Sequence, residues 1–251
     1  MAALGTQALR RNERGPTRYN QDMSLNGVSS PVEIRCKGVL FDMDGILISS
    51  IDSVERSWTK WAEMRGVDPE FACKTAHGRR AIETAALLRP DLDSEAELRL
   101  IEDIELADGE GLAVLPGVLD LLKVLPADRW TVVTSATERL ARMRLAQAGI
   151  PVPERLVTAD DVKKGKPDPA PYLAGAALLK FPAEECVVFE DAESGTVAGR
   201  AAGCIVIATT FSHDAASLSA AHYLVEDVTG VRVRNLPGQQ GIELSFKPLA
   251  E

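Results

Sequence analysis

A short apolar run that ends in two aspartates constrains this chain more than any other stretch. Val39, Leu40 and Phe41 lead directly into Asp-Met-Asp-Gly at residues 42–45. An apolar run this short, without polar alternation and bounded by a glycine, is typical of a central strand that is covered on both faces. The sequence therefore predicts a buried strand whose carboxyl end carries acid.

The two aspartates, Asp42 and Asp44, are separated by one residue. Side chains at positions i and i+2 of an extended chain point to the same side, and Gly45 lets the chain turn away after them. Two carboxylates in one small space repel each other unless a cation or a division of roles stabilises the pair. The motif thus indicates a metal site, a nucleophile with a partner acid, or both, and its alternative is a plain polar turn.

Composition narrows the classes of protein that fit this chain. With 251 residues, of which 45% are hydrophobic, it can bury a substantial core. The net charge of −9 provides no basic excess, so we expect no nucleic acid or anionic membrane as partner. The four widely spaced cysteines favour reduced thiols in a cytoplasmic protein. In addition, no apolar run reaches the roughly 20 residues of a membrane span.

The chain divides into three segments that differ in composition and hydrophobic pattern. Residues 1–34 are rich in Arg, Asn, Ser and Gly without apolar periodicity, which predicts a mobile tail. Its arginines also fit an organelle-targeting segment, the less favoured alternative to an upstream extension before Met23. Apolar residues at helical spacing predict an all-helical insertion at 52–112, whose crowded acids we interpret as a solvated face. Residues 35–51 and 113–251 are then expected to form the main α/β part.

Strands and helices alternate after the insertion. Strand-like runs lie at 130–133, 156–157, 186–189 and 205–207, and helical stretches lie between them. This alternation predicts a doubly wound parallel, Rossmann-like sheet, whose ligands bind at the carboxyl ends of strands where the winding reverses. Asp168 and Pro169 predict the N-cap and first residue of one helix, which leaves Lys166 on the loop before it.

Four motifs stand at these strand ends and loops in a fixed order. They are Phe-Asp-Met-Asp-Gly (41–45), Val-Val-Thr-Ser (132–135), Gly-Lys-Pro-Asp-Pro (165–169) and Phe-Glu-Asp-Ala (189–192). Together they resemble the haloacid dehalogenase superfamily of phosphatases over residues 36 to about 210.

The resemblance implies a role for each motif residue. Asp42 would be the nucleophile that forms an aspartyl-phosphate, and Asp44 the acid and base that serves the leaving oxygen and then water. The phosphate would be bound by Thr134 and by the backbone of Ser135 and Ala136. Lys166 would neutralise it. The expected cofactor is Mg²⁺, held by Asp42, Asp191 and the backbone carbonyl of Asp44, with Glu190 acting directly or through metal-bound water.

The helical insertion resembles the family's cap, a lid that closes over the site. Residues 75–82, 126–130 and 158–167 resemble the phosphatases that act on glycerol phosphate and 2-deoxyglucose 6-phosphate. Arg80 takes the place of the family's cap arginine, and His77 is a further candidate substrate contact. The implied partner is a small phosphorylated polyol or sugar, bound by a monomer or small homo-oligomer.

Three other functions compete with this interpretation. A sugar phosphomutase would use the same intermediate but return the phosphoryl group to the sugar. A non-catalytic phosphate-binding regulatory domain would keep the site without turnover. A hydrolytic dehalogenase is disfavoured because it needs neither the metal nor a second aspartate at the Asp44 position.

Overall fold

A computed structural model describes residues 30–76, 79–108 and 111–250 of the chain. The predicted tail up to residue 29 and the candidate contact His77 lie outside these ranges. The strands are β1 (Val32–Cys36), β2 (Gly38–Phe41), β3 (Ile48–Ser49), β4 (Ala113–Val114), β5 (Trp130–Val132), β6 (Cys186–Glu190), β7 (Ile205–Thr209), β8 (Tyr223–Val225), β9 (Arg232–Asn235) and β10 (Ile242–Phe246). The helices are α1 (Ile51–Arg65), α2 (Pro69–Ala76), α3 (Ala81–Leu88), α4 (Ser94–Ala107), α5 (Val118–Val124), α6 (Glu138–Gln147), α7 (Ala170–Leu179) and α8 (Glu193–Ala201).

A five-stranded parallel sheet in the order β5-β2-β6-β7-β8 organises the fold. All four residues of β2 are buried, as expected for a strand that is covered on both faces. The chain first adds β5 on one side of β2 and later adds β6 on the other side, so the winding reverses at β2. The predicted α/β class with a parallel sheet is confirmed, and the strand that ends in Asp42 stands at the switch point.

Two local predictions differ from the structure in detail. The strand expected at residues 156–157 is reduced to an isolated bridge between Val157 and Val133. Helix α7 begins at Ala170, one residue later than predicted, with Pro169 at the N-cap position. Asp168 still accepts the backbone N–H of Ala170 at 2.9 Å, as expected for an aspartate at a helix start. Neither difference moves Lys166 away from the loop before this helix.

Helices α1 to α4, which we call the helical insertion, leave the sheet through a short ribbon in which β3 pairs with β4. Trp58, Trp61 and Ile101 lie at the centre of its own apolar cluster. The interpretation of its acids as a solvated face is wrong for Glu97, Glu102 and Glu105, which are 6%, 7% and 5% exposed. Burial of these three is tolerated because indole and guanidinium donors of α1 and α6, and the hydroxyl of Thr137 just before α6, satisfy their carboxylates.

A separate antiparallel sheet in the order β1-β10-β9 was not predicted. Its strand β1 starts at Val32, so assigning residues 32–34 to a mobile tail is wrong: these residues pair with β10. The partner strand lies more than 200 residues later in the chain, and a five-residue strand carries little local signal. None of the helices in the described ranges combines the length and apolar character needed to cross a bilayer.

Candidate active site

Lys166 and the acids at the ends of β2 and β6 form the floor of a cleft. The Lys166 Nζ lies 2.9 Å from Asp42 Oδ1 and 2.6 Å from Glu190 Oε1. It also donates to the carbonyl of Val133 at 3.2 Å. An ammonium group has three N–H donors, so each one has an acceptor here and the amine is held in one place.

Glu190 is fully buried, and its two oxygens accept four hydrogen bonds. Lys166 and the Tyr172 hydroxyl donate to Oε1, both at 2.6 Å. The backbone N–H groups of Asp191 and Ala192 donate to Oε2 at 2.9 and 3.1 Å. Gly195 leaves room for this carboxylate, because a Cβ there would overlap it. Glu190 therefore acts as a fixed anchor for Lys166.

The carboxyls around Lys166 are strongly perturbed. Burial raises the pKa of Asp42 to about 7, although the charge of Lys166 opposes the rise. Burial, reinforced by the neighbouring Glu190, also raises the pKa of Asp191 well above its ordinary value. Burial alone would lower the pKa of Lys166, but Asp42 and Glu190 outweigh it and the pKa is raised. The site thus places three buried carboxyl groups around a single ammonium.

This excess of acid fits a hard divalent cation. Carboxylate oxygens of Asp42, Glu190 and Asp191 lie within 4.8 Å of one another, and carboxylates are the ligands that such cations prefer. Gly45, with φ +80°, lets Asp191 approach, since a Cβ there would overlap the Asp191 carboxylate. Asp42 and Asp191 are the better direct ligands, because a metal bond to Glu190 would displace one of its hydrogen bonds.

The Asp44 carboxylate has partners of its own outside this cluster. The Ser50 hydroxyl donates to Asp44 Oδ1, and Arg144 Nη1 lies 3.0 and 3.1 Å from Oδ1 and Oδ2. The other nitrogen of that guanidinium donates to Glu105 on α4. Burial raises the pKa of Glu105, and Arg144 opposes this rise. Arg144 and Glu105 were not predicted from the sequence. Arg144 could have been noticed, because it is an arginine within the apolar stripe of its helix.

The expected phosphate-binding residues follow β5 and line the same cleft. Thr134 is 3% exposed. Its Oγ1 accepts the backbone N–H of Ala136 at 3.1 Å, so this N–H is paired within the loop. Ser135 lies between them. Next along the chain, the Thr137 hydroxyl donates to Glu102 of the helical insertion.

Arg80 reaches from the helical insertion toward the loop that carries Lys166. Its Nη2 donates to the carbonyl of Ala159 at 3.0 Å, and its Nη1 to that of Lys163 at 3.3 Å. Glu83 lies 3.4 Å from the same Nη1. Arg79 is exposed but also borders the cleft. The Arg80 guanidinium therefore bridges the insertion and the α/β part.

These groups surround one cleft of about 230 Å³. The structure brings together there every site residue predicted from the sequence that lies in the described ranges: Asp42, Asp44, Arg80, Thr134, Ser135, Ala136, Lys166, Glu190 and Asp191. Side chains that sequence reasoning did not single out complete the wall, among them Val54, Trp58, Leu98, Leu140, Ser212 and His213. The cleft therefore has an ionic floor and a largely apolar wall on the side of the insertion.

The chain belongs to the haloacid dehalogenase-like hydrolases. The model of that family matches residues 36–203. Hexitol phosphatase A from Escherichia coli is 41% identical over 209 residues, covering 81% of this chain and 97% of the relative. Glycerol-1-phosphate phosphohydrolase 2 from Saccharomyces cerevisiae is 35% identical over 219 residues, covering 82% and 88%.

A solved structure shows the same fold. The β-phosphoglucomutase from Clostridium difficile superposes with a TM-score of 0.67 at 20% identity. The match covers 77% of this chain and 92% of that one.

Proposed function

We propose that this chain is a Mg²⁺-dependent phosphomonoester hydrolase that acts on a small polyol or sugar phosphate through an aspartyl-phosphate on Asp42. The observation that carries the proposal is the floor of the cleft. There Asp42 is fixed by Lys166 at 2.9 Å, beside Asp191 and two residues before Asp44. Family membership and the named phosphatase relatives support the same reaction class.

In the first step, a carboxylate oxygen of Asp42 attacks phosphorus and forms a new P–O bond. The ester P–O bond breaks, and protonated Asp44 gives its proton to the leaving alcohol oxygen. Lys166 offsets the negative charge that gathers between Asp42 and the phosphoryl oxygens. The hydroxyl of Thr134 and the backbone N–H of Ser135 orient those oxygens, whereas the N–H of Ala136 is already paired with Thr134.

In the second step, water attacks the phosphorus of the aspartyl-phosphate while Asp44, now a carboxylate, takes its proton. The bond from phosphorus to Asp42 breaks, which releases inorganic phosphate and restores both aspartates. Asp42 and Asp191 would hold Mg²⁺, and its positive charge would let an anionic nucleophile meet an anionic substrate.

The size and lining of the cleft support a small substrate. A space of about 230 Å³ suits a phosphorylated polyol or monosaccharide better than a protein or nucleic-acid segment. The relatives are named for hexitol phosphate and glycerol 1-phosphate. Buried free thiols at Cys36, Cys186 and Cys204 support a reducing compartment such as the cytoplasm.

A phosphate-release assay over glycerol, hexitol and deoxyhexose phosphates, with nucleotides and phosphopeptides as controls, tests the proposal. We expect turnover of at least one polyol or sugar phosphate with Mg²⁺ and its loss when a chelator is added. Preference for nucleotides or phosphopeptides would contradict the substrate class. Conversion of a sugar phosphate to an isomer without phosphate release would instead establish the mutase. No turnover of any compound would favour a binding domain.

A further inference from the structure

We infer that Arg144 is a positioning residue for Asp44, and that Glu105 of the helical insertion fixes Arg144 in that role. The inference rests on the proposed function, because that function makes Asp44 the proton donor. It assigns a task to two buried charges that the phosphoryl chemistry on the floor does not use.

The geometry holds the Asp44 carboxylate on two sides. A single nitrogen of Arg144 lies within 3.1 Å of both Asp44 oxygens, and the Ser50 hydroxyl donates to Oδ1. The second nitrogen of the guanidinium donates to Glu105. Because a guanidinium is planar and rigid, fixing one nitrogen against Glu105 also fixes the direction that the other presents to Asp44.

The cost of burying these charges argues against a merely stabilising pair. The side chains of Arg144 and Glu105 are each only 5% exposed, whereas Asp44 faces the cleft at 32%. Removing an ion pair from water costs as much as its attraction returns, so such pairs are weak contributors to stability. Here Arg144 of this pair also contacts Asp44, the carboxyl that must reach the leaving oxygen.

The three residues also come from separate parts of the fold. Asp44 follows β2, Arg144 lies on α6, and Glu105 lies on α4 of the insertion. If α4 moved away, Arg144 would lose the anion that immobilises it and Asp44 would lose its fixed partner. The orientation of the acid is therefore coupled to the seating of the insertion over the cleft.

The dependence of rate on the leaving group tests this role. An alkoxide leaves only with a proton, whereas p-nitrophenolate leaves readily without one. In the double variant Arg144→Met, Glu105→Gln, which removes both buried charges, we expect kcat/KM for glycerol phosphate to fall about 10- to 100-fold. For p-nitrophenyl phosphate we expect a loss of less than about threefold, since proton donation adds little there.

Two further variants complete the experiment. Arg142→Met removes an arginine that lies on the same helix but is 40% exposed and paired with Glu138, and it should leave both substrates unaffected. Arg144→Lys keeps the charge but removes the planar guanidinium that contacts Asp44 and Glu105 at once. Its loss of kcat/KM should be smaller than that of the double variant and again selective for glycerol phosphate. If the double variant fails to fold by circular dichroism, Arg144→Lys decides the question.

Equal losses on both substrates in a folded variant, or no loss on either, would overturn the inference while leaving the hydrolase intact. Failure of the wild-type protein to release phosphate from p-nitrophenyl phosphate and from every polyol and sugar phosphate tested would overturn the proposed function itself, and this inference with it. The two failures are therefore distinguishable from the wild-type measurement alone.

Discussion

The cleft has two regions that are built in different ways. Its floor consists of Asp42, Lys166, Glu190 and Asp191 at strand ends and on one loop. We call the opposite region the seam, where the insertion meets the α/β part. Its contacts run from Glu102 to Thr137, from Glu105 to Arg144, and from Arg80 to the carbonyls of Ala159 and Lys163.

The difference lies in what fixes each side chain. Floor residues are placed by the backbone of a buried parallel sheet and by short hydrogen bonds around Glu190. Seam contacts are made by long side chains between helices or loops that are 35 to 83 residues apart in sequence. The floor is therefore expected to be rigid, while the seam can open when the insertion shifts.

The largest expected effect is on the floor. Asp42→Asn removes the nucleophile but keeps its volume and an oxygen that can accept from Lys166, so the protein should remain folded. We expect phosphate release to fall by more than about 100-fold, because covalent catalysis contributes orders of magnitude. A folded variant that keeps more than about a hundredth of the wild-type rate would contradict the nucleophile role.

A smaller effect is expected at the seam for Arg80. Its truncation to alanine removes a guanidinium that bridges the insertion and the Lys166 loop beside the phosphate site. We expect kcat/KM for the preferred phosphate ester to fall about 10- to 1000-fold, as for the loss of a charge-assisted contact in a closed site.

The matched control is the neighbouring exposed arginine. Arg79→Ala removes the same charge from the same loop but leaves the two carbonyl contacts of Arg80 in place. Its effect on kcat/KM should be much smaller. Similar losses for the two variants would mean that the net charge of the loop matters rather than the bridge made by Arg80.

The floor was predictable from the sequence and the seam was not. Asp42 and Lys166 could be placed from strand ends and helix starts, because carboxyl ends of parallel strands meet at one edge of a sheet. Burial of Glu105 could not be foreseen, since it depends on how α4 lies against an arginine 39 residues later. Residues 32–34 were misassigned for the same reason, because their partner strand comes at the far end of the chain.

The hydroxyl of Tyr172 offers a finer test of how rigid the floor is. Tyr172→Phe removes one of the four donors to Glu190 and leaves the buried ring in place. We expect a loss of about 1–3 kcal/mol in the free energy of unfolding, because a buried carboxylate loses a partner. Since Lys166 keeps its other contacts, kcat should fall less than about tenfold. An unchanged unfolding free energy would show that Glu190 does not need this donor.

The smallest expected effect on activity concerns Glu97, a buried acid that lies on α4 like the seam acids but inside the insertion. Arg65 donates to it at 2.6 and 2.9 Å, and the indole of Trp61 at 2.8 Å. The hydrogen bonds from Arg65 hold the pKa of Glu97 below its ordinary value of 4.5, although burial opposes this. If only the seam acids govern the cleft, Glu97→Gln should leave kcat/KM unchanged.

Its effect on stability should depend on pH. A carboxyl whose pKa is lowered on folding contributes stability above its unfolded pKa and loses it as pH falls through the folded pKa. Urea unfolding should therefore show Glu97→Gln to be about 1–2 kcal/mol less stable than wild type at pH 7, with the difference shrinking as pH falls below 4.5. A difference that stays constant with pH would mean that packing, not charge, accounts for the loss. If Glu97→Gln selectively slowed the hydrolysis of alkyl phosphates, then the whole of α4, and not only its seam residues, would control the orientation of Asp44.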